Sequence, residues 1–182
     1  RRAAADTGFE VNIFNADAGV YTYVVRENGG NATGSYALTA VVADTTPDID
    51  NVELLSGQPV TGTISTADID TFTIEATGGS DLLFSIAETA GSNFLLSVDI
   101  YGPDGRFIDA RSFETGFEFD LFSVDAGTYT YVIRENGANA TGNYTFTAVV
   151  VDDAVDLEDT TLISGQSATG SITAGAIDTF TL

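Results

Sequence analysis

The side chains in this sequence that could do chemistry are mainly carboxylates. The 182 residues include 27 Asp and Glu, six Arg, and no His, Cys, Lys, Met or Trp. Without His, Cys or Lys, the chain alone cannot form a Ser–His–Asp or Cys–His nucleophile or a Schiff base. It also lacks the usual ligands of zinc, copper and haem iron. Carboxylates leave two kinds of chemistry open, which are binding of calcium and a glycosidase-like acid–base pair.

The net charge of −21 narrows the possible partners. Nucleic acid and anionic lipid are unfavourable partners, because both require clustered Lys and Arg. No stretch reaches the roughly 18–20 apolar residues that span a bilayer, so no membrane insertion is expected. An acidic surface is typical of a soluble, secreted protein. Because the sequence has no initial Met and no signal peptide, we expect a mature or internal segment.

Two carboxylates lie in a segment that could form an acid–base pair. In GFEFDLFS, Glu118 and Asp120 alternate with Phe117, Phe119 and Leu121. Alternation with a period of two predicts a half-buried strand with its acids exposed. The sequence therefore predicts a solvated strand face here, no catalytic residues anywhere and no enzyme activity.

Arg26 and Arg134 occupy the same position in two nearly identical segments, YVVREN and YVIREN. Each follows an apolar run and is followed by Glu, as Glu27 or Glu135. One interpretation is an arginine that binds a ligand. The other, which we favour, is a guanidinium that pairs with a carboxylate on an adjacent strand or repeat.

A pair of tyrosines precedes each of these arginines. The pairs are Tyr21 with Tyr23 and Tyr129 with Tyr131. They could form a platform on which sugars stack. The spacing of two favours the alternative, a stripe of side chains in the core.

Three N-x-T sequences are candidate glycosylation sites, at Asn31, Asn139 and Asn143. Loops rich in Asn and Gly surround the first two. The alternative is turn formation, because Asn and Gly tolerate left-handed backbone.

The chain contains the same segment twice. YTYVVRENGGNATGSY begins at Tyr21 and YTYVIRENGANATGNY begins at Tyr129. An offset of about 108 residues aligns about 74 positions without a gap. We therefore predict residues 1–46 as the C-terminal part of one repeat, 47–153 as a complete repeat and 154–182 as the N-terminal part of the next. The incomplete parts are expected either to continue in a longer polypeptide or to be completed by strands of a neighbouring subunit.

Within one repeat the hydrophobic pattern alternates, which indicates strands. DTFTIEA, GTYTYVIREN and NYTFTAVVVD each place apolar and polar residues on opposite faces. YGPDGR, at 101–106, is a hairpin signal, because Pro sets φ and Gly adopts the left-handed conformation. About eight such strands and no helical pattern predict an all-β sandwich. We expect the pairs Phe117–Phe119 and Tyr129–Tyr131 to anchor its core.

The order of these motifs resembles a known family. SGQPVTGTIS with DIDTFTI, then IYGPDG, then AGTYTYVIREN with TGNYTFT, is similar to the bacterial pre-peptidase C-terminal (PPC) domain. The resemblance covers nearly all of 47–153 and recurs in both partial copies. It implies a jelly-roll-like β-sandwich in an exported bacterial protein. Members are usually accessory modules of secreted hydrolases or repeats of surface proteins, and some bind collagen, polysaccharide or calcium.

The resemblance also implies a calcium site in the acidic linker before the first strand. The residues that would supply oxygen ligands are Asp48, Asp50 and Asn51 with Asp68 and Asp70 in one copy, and Asp156, Glu158 and Asp178 in the next. At the position equivalent to Asp68 the second copy has Ala176, which weakens the prediction of a calcium site in that copy. The alternative is a solvated hinge and an Asp that caps a turn.

Two functions remain open on these grounds. The first is a structural extracellular repeat protein that self-associates into a filament, fibre or stalk on a bacterial surface, with exposed strand edges available for pairing. The second is a calcium-assisted module that binds collagen or polysaccharide for a secreted hydrolase. Calcium is the one cofactor that the sequence leaves open.

Overall fold

All regular structure in the described part of the chain is β-strand. The computed structural model describes residues 11–13, 16–26, 33–42, 51–151, 160–165 and 167–181. Its strands are β1 (Asn51–Glu53), β2 (Val60–Ile64), β3 (Ile69–Ala76), β4 (Asp81–Gly91), β5 (Leu96–Tyr101), β6 (Phe107–Phe113), β7 (Gly116–Leu121), β8 (Gly127–Glu135), β9 (Gly142–Val151), β10 (Thr160–Thr161) and β11 (Phe180–Thr181).

Residues 51–151 form two packed sheets. One sheet has the order β1-β3-β8-β5-β6 and the other has the order β2-β9-β4-β7. Strands β2 to β9 pair with their neighbours in antiparallel fashion, whereas β1 runs parallel to β3. Four strands in the order 3-8-5-6 facing four in the order 2-9-4-7 are the arrangement of a jelly roll. The predicted all-β, jelly-roll-like sandwich is confirmed.

The core lies between the two sheets, where alternate side chains of each strand meet. Phe72 of β3, Phe84 of β4, Tyr131 of β8 and Phe146 of β9 are buried there, and their rings contact one another. Burial of each such side chain contributes roughly 1.5–3 kcal/mol. Four clustered aromatic rings therefore supply a large part of the force that holds the two sheets together.

The hairpin between β5 and β6 forms as the sequence predicts. The N–H of Gly105 donates to the carbonyl of Gly102 at 2.9 Å, and the N–H of Gly102 donates to the carbonyl of Arg106 at 2.9 Å. Gly105 has a φ of 71°, and an oxygen of Asp104 accepts the Arg106 N–H at 3.0 Å. Proline, Asp and Gly thus occupy the turn positions that their backbone preferences favour.

The expected role of Phe117 and Phe119 as core anchors is wrong in part. Both pack against the core but are only partly buried. Their strand, β7, lies at the edge of its sheet and, among the described strands, pairs only with β4. Their solvent exposure along that open edge follows from this position. Tyr129 and Tyr131, in the middle of the other sheet, are buried as expected.

The same stripe in the first copy has different surroundings. Tyr21 and Tyr23 are 45% and 55% exposed, whereas Tyr131 is fully buried. Tyr131 is covered by Phe84, whose ring centroid lies 5.4 Å away. The position equivalent to Phe84 falls before residue 1 at an offset of about 108 residues. The prediction of a core stripe therefore holds for the second pair and not for Tyr21 and Tyr23.

Part of the local structure repeats between the copies, whereas residues 21–26 and 34–42 form no strand although their equivalents belong to β8 and β9. The parallel partners Val52 and Phe72 of β1 and β3 recur as Thr160 and Phe180 of β10 and β11. The turn 65–68 is closed by an N–H···O bond of 3.1 Å, and the turn 173–176 by one of 3.0 Å. This strand pair and this turn therefore recur at the spacing of the sequence repeat.

A tyrosine hydroxyl bond also repeats. Tyr21 donates to the carbonyl of Asp17 at 2.8 Å, and Tyr129 donates to the carbonyl of Asp125 at 3.2 Å. In each case the hydroxyl binds the backbone of the turn four residues earlier. The same hydrogen bond therefore forms where the tyrosine is exposed, at Tyr21, and where it is buried, at Tyr129.

Candidate functional site

The candidate site lies at the end of the sandwich where β2 and β3 meet, because Asp68 and Asp70 flank the start of β3. The two oxygens of Asp68 accept the N–H of Ser65 at 3.2 Å and the N–H of Ile69 at 3.1 Å. Asp68 thus has the turn-capping role that the sequence left as the alternative to metal binding. A capping carboxylate can still offer a lone pair to a cation, so the calcium prediction stays untested.

Asp70 accepts a hydrogen bond from the hydroxyl of Tyr144. The distance is 2.6 Å, and the bond joins β3 of one sheet to β9 of the other. Burial raises the pKa of the Tyr144 hydroxyl well above its usual range, and the hydrogen bond and charge of Asp70 raise it further. Tyr144 therefore stays protonated and acts as a donor at physiological pH.

Gly62 makes the position of Tyr144 possible. The two residues are cross-strand partners in β2 and β9. A Cβ atom added at Gly62 would lie only 2.3 Å from the Tyr144 ring, so any side chain there would displace the ring. The same three residue types recur as Gly170, Tyr36 and Asp178.

A surface groove runs along this end of the molecule. Its volume is about 310 Å³. It is lined by Val52, Thr61, Gly62, Thr63, Asp70, Thr71, Phe72 and Tyr144. The polar atoms available are carboxylate and hydroxyl oxygens, which suit a hard cation or the hydroxyls of a sugar.

The other predicted calcium ligands are only partly described. Asp48, Asp50, Asp156 and Glu158 lie outside the described residues, as does the side chain of Asn51. Asp178 is exposed, and one of its oxygens lies 3.0 Å from where a Cβ of Gly170 would be. Among the residues that the structure describes, no three acidic side chains come together as a metal site.

Arg134 forms the ion pair that the sequence favours. Its guanidinium lies 3.1 Å from the carboxylate of Asp99 on the adjacent strand β5, and both side chains are more than 90% buried. Burial raises the pKa of the Asp99 carboxyl, while the charge of Arg134 opposes that rise. The arginine is therefore enclosed in the fold, and the interpretation as a ligand-binding residue is wrong for Arg134.

Sequence reasoning missed the part played by Glu135. Its carboxylate is buried and accepts the backbone N–H groups of Gly137 and Asn139 at 2.9 Å each and of Ala140 at 3.4 Å. One side chain thus organises the loop between β8 and β9. The available signal was the repeated string REN, which places a Glu at the start of this loop in both copies.

The predicted glycosylation sites occupy the surface where they are described. Asn139 is exposed in the loop that Glu135 organises. Asn143 is exposed on β9, where its side-chain oxygen accepts the hydroxyl of Thr63 at 2.9 Å. Asn31 lies outside the described residues. Glycosylation at all three stays a prediction.

A second groove lies beside the β5–β6 hairpin. Its volume is about 500 Å³, and its lining residues are Gly102, Pro103, Asp104, Arg106, Ile108, Asp125 and Tyr129. Asp104 and Arg106 form an exposed ion pair of 3.3 Å at its rim. Glu118 and Asp120, by comparison, are exposed on β7 as predicted.

Comparisons with known proteins find likeness in structure only. No protein-family model and no curated protein matches the chain. Similar solved structures include the pre-peptidase C-terminal domain of a collagenase from Bacillus anthracis, at 10% identity and a TM-score of 0.48. That match covers 57% of this chain and 98% of the other. Membership of the PPC family therefore stays a prediction.

Two further structures show the same partial likeness. A surface-associated copper-binding protein, CorA of Methylomicrobium album BG8, has 7% identity and a TM-score of 0.49, covering 57% of this chain and 98% of its own. A periplasmic inhibitor of g-type lysozyme from Aeromonas hydrophila has 12% identity and a TM-score of 0.45, covering 56% and 96%. At these low values, the likeness says nothing about what this chain binds. In the described residues, no helix has the length and apolarity to cross a membrane.

Proposed function

We propose that this chain is a segment of a structural extracellular repeat protein that forms a filament, fibre or stalk on a bacterial surface. Residues 47–153 are one complete β-sandwich repeat in this proposal. Residues 1–46 are the C-terminal part of the preceding repeat, and residues 154–182 are the N-terminal part of the next. The protein is not an enzyme, and its principal partner is another copy of the same unit.

One observation carries the proposal, which is that a parallel strand pair and the turn beside it recur in the next copy at the same spacing. The parallel pair Val52–Phe72 recurs as Thr160–Phe180 about 108 residues later. Both strand pairs and the turns between them keep their spacing. Units that repeat their sequence, spacing and local pairing are typical of proteins built as linear arrays.

Exposed apolar side chains support self-association. Tyr36 is 72% exposed and Leu38 is 56% exposed, whereas their equivalents Tyr144 and Phe146 are fully buried. The same sequence therefore carries a core-forming face that is uncovered in residues 33–42. Large uncovered apolar surfaces mark sites of protein association, and strands of another unit would cover this one.

The chemistry of the described residues supports a role without catalysis. The two grooves present carboxylates, hydroxyls and one arginine, and no His, Cys or Lys. The acidic surface favours solubility outside the cell and disfavours nucleic acid. In this proposal the protein is secreted or held at the cell surface, where an acidic surface keeps it soluble.

Electron microscopy of negatively stained native material tests the proposal. We expect linear assemblies with a repeat that matches one β-sandwich. Compact monomers alone would overturn it. The intact mass of the native polypeptide then separates a long tandem array from a 19.0 kDa subunit that exchanges strands with its neighbours.

Calcium binding is a further part of this proposal. Asp68 and Asp70 flank the start of β3, and the polar side-chain atoms that line the groove beside Asp70 are all oxygens. The proposed ligands are Asp48, Asp50, Asn51, Asp68 and Asp70, with Asp156, Glu158 and Asp178 in the next repeat. Thermal unfolding with calcium and with a chelator tests this, because a ligand of the native state raises the midpoint. An unchanged midpoint would remove the metal.

The groove beside the β5–β6 hairpin favours one alternative function. Its carboxylates, arginine and neighbouring tyrosine are groups that hold polar ligands such as sugars. In this alternative the chain is an accessory module that binds polysaccharide or collagen. Retention on cellulose, chitin or collagen, abolished by Asp104→Ala with Arg106→Ala, would support it over the structural function.

A further inference from the structure

The outward face of β9 is buried although it points away from the core. Tyr144, Phe146 and Ala148 face inward, so Thr147 and Val149 face outward. Thr147 is 0% exposed and Val149 is 1% exposed. An outward face of a two-sheet sandwich meets solvent unless another segment covers it, so some part of the chain covers these two side chains.

A turn of the next repeat lies on this face. The hydroxyl of Thr147 donates to the carbonyl of Gly175 at 2.6 Å. Gly175 belongs to the turn 173–176, which an N–H···O bond of 3.0 Å closes. Gly175 is itself buried, so the contact excludes water from both partners.

Two independent features favour glycine at position 175. Its φ is +76°, a left-handed conformation that L side chains rarely adopt. An added Cβ atom would also lie 2.8 Å from the carbonyl oxygen of Thr145 and 3.1 Å from its Cβ. Only a residue without a side chain can approach β9 this closely.

We propose that the outward face of β9 is the docking surface for the following repeat of the same chain, and that the turn 173–176 is what docks there. This inference rests on the repeat arrangement of the proposed function and adds the contact that joins two units. The contact restricts the relative orientation of the two repeats at the junction that has it.

The turn residue also distinguishes the two junctions of this chain. The turn 65–68 is equivalent to 173–176, but Ala67 stands where the later turn has Gly175. In an approach like that of Gly175, its Cβ would meet the collision that a Cβ added at Gly175 meets. Thr39, the equivalent of Thr147, is exposed. Glycine at this position therefore marks a docked junction, and alanine marks one without this contact.

Hydrogen exchange measured by mass spectrometry on the whole chain tests the docking. In wild type we expect the amides of 173–177 to be protected. Thr147→Val keeps the side-chain shape and removes the hydroxyl donor, so exchange of those amides should rise about five-fold. Thr147→Ser, which keeps the hydroxyl, should retain protection, and Thr39→Val at the exposed equivalent position should change nothing.

A glycine pair separates the docking contact from backbone strain. Gly165 has a φ of +86° and nothing within 4 Å of its added Cβ, so Gly165→Ala introduces strain alone. Gly175→Ala introduces the same strain and the collision with Thr145. We expect only Gly175→Ala to speed exchange at 173–177, by about ten-fold or more.

Three results would overturn the docking proposal. One is exchange of 173–177 at the rate of a free peptide in wild type. Another is an equal response to Thr147→Val and Thr39→Val. The third is an equal response at 173–177 to Gly175→Ala and Gly165→Ala. Failure here with filaments still visible would refute the docked junction alone, whereas protection without filaments would refute the proposed function alone.

Discussion

Replacing Ala67 by glycine should stabilise the protein, although glycine usually destabilises folded chains. Ala67 has a φ of +62° in the turn 65–68. At the equivalent position the second copy has Gly175, with a φ of +76°. The turn therefore requires a left-handed residue in both copies, and only the second copy supplies the residue type that adopts this conformation without strain.

The magnitude follows from two opposing terms. A left-handed conformation costs an L residue roughly 1–2 kcal/mol, and glycine removes that cost. Glycine also makes the unfolded chain more flexible, which costs roughly 0.4–1 kcal/mol. The difference predicts a gain of about 0.5–1 kcal/mol in the free energy of unfolding. For a sandwich of this size that gain is about 2 to 8 °C in the melting temperature.

Urea denaturation followed by tyrosine fluorescence measures the change, because the chain has no Trp. The midpoint should rise while the m-value stays constant. Ala126→Gly is the matched control, since Ala126 is an exposed alanine without a positive φ. This control should lose stability. A loss in Ala67→Gly equal to that in Ala126→Gly would refute the left-handed turn.

Three other predictions concern the core and its hydroxyl groups. Phe146→Ala should lower the free energy of unfolding by about 3–5 kcal/mol, as expected for a fully buried ring. Phe119→Ala, on the edge strand, should cost less than half as much. Equal losses in urea denaturation would contradict the assigned core. Tyr144→Phe removes the charged hydrogen bond to Asp70 and should cost about 1.5–3 kcal/mol in the same assay, and an unchanged midpoint would show that this bond contributes nothing. Burial raises the pKa of the Tyr131 and Tyr144 hydroxyls in the native state, so their contribution is complete below pH 10, the unfolded value, and is lost as the pH rises towards the native pKa. The free energy of unfolding should thus fall by about 1.4 kcal/mol per pH unit for each of them above pH 10, and Tyr144→Phe should halve the slope that these two hydroxyls contribute.

The fold could be predicted from the sequence because its strands alternate strictly. Segments such as Phe72 to Ala76 place each apolar residue two positions from the next, and the turn at Pro103 to Gly105 needs particular residue types. Period and turn chemistry are local properties, so they can be read without knowing the partners of a strand. The depth of burial could not be read in this way. Phe119 alternates as regularly as Phe146, but only the sheet order places one at an edge and the other inside.

The sequence predicted which charged residues matter, but it did not predict which residues they pair with. Asp70 and Arg134 were recognisable as charged groups at strand ends. Their partners, Tyr144 and Asp99, are on other strands, which the sheet order brings within 2.6 Å and 3.1 Å. Long-range pairing of this kind leaves no local pattern in the sequence. Glu135 is different, because its partners are within five residues and its role could have been inferred from the loop.

Differences between the copies are more informative than identities. Four described residues other than glycine have a positive φ, namely Ala67, Asn93, Ser123 and Ala138. Three of these have an equivalent in another copy, and the equivalents are Gly175, Asn15 and Gly30. Glycine and asparagine are the residues that tolerate left-handed backbone. At these three positions the other copy thus has the residue type that suits the turn, although the pattern is not general, because Asn143, the equivalent of Ser35, lies in β9 without a positive φ. On that basis Ala138→Gly should stabilise the loop after β8, as Ala67→Gly does for the turn before β3.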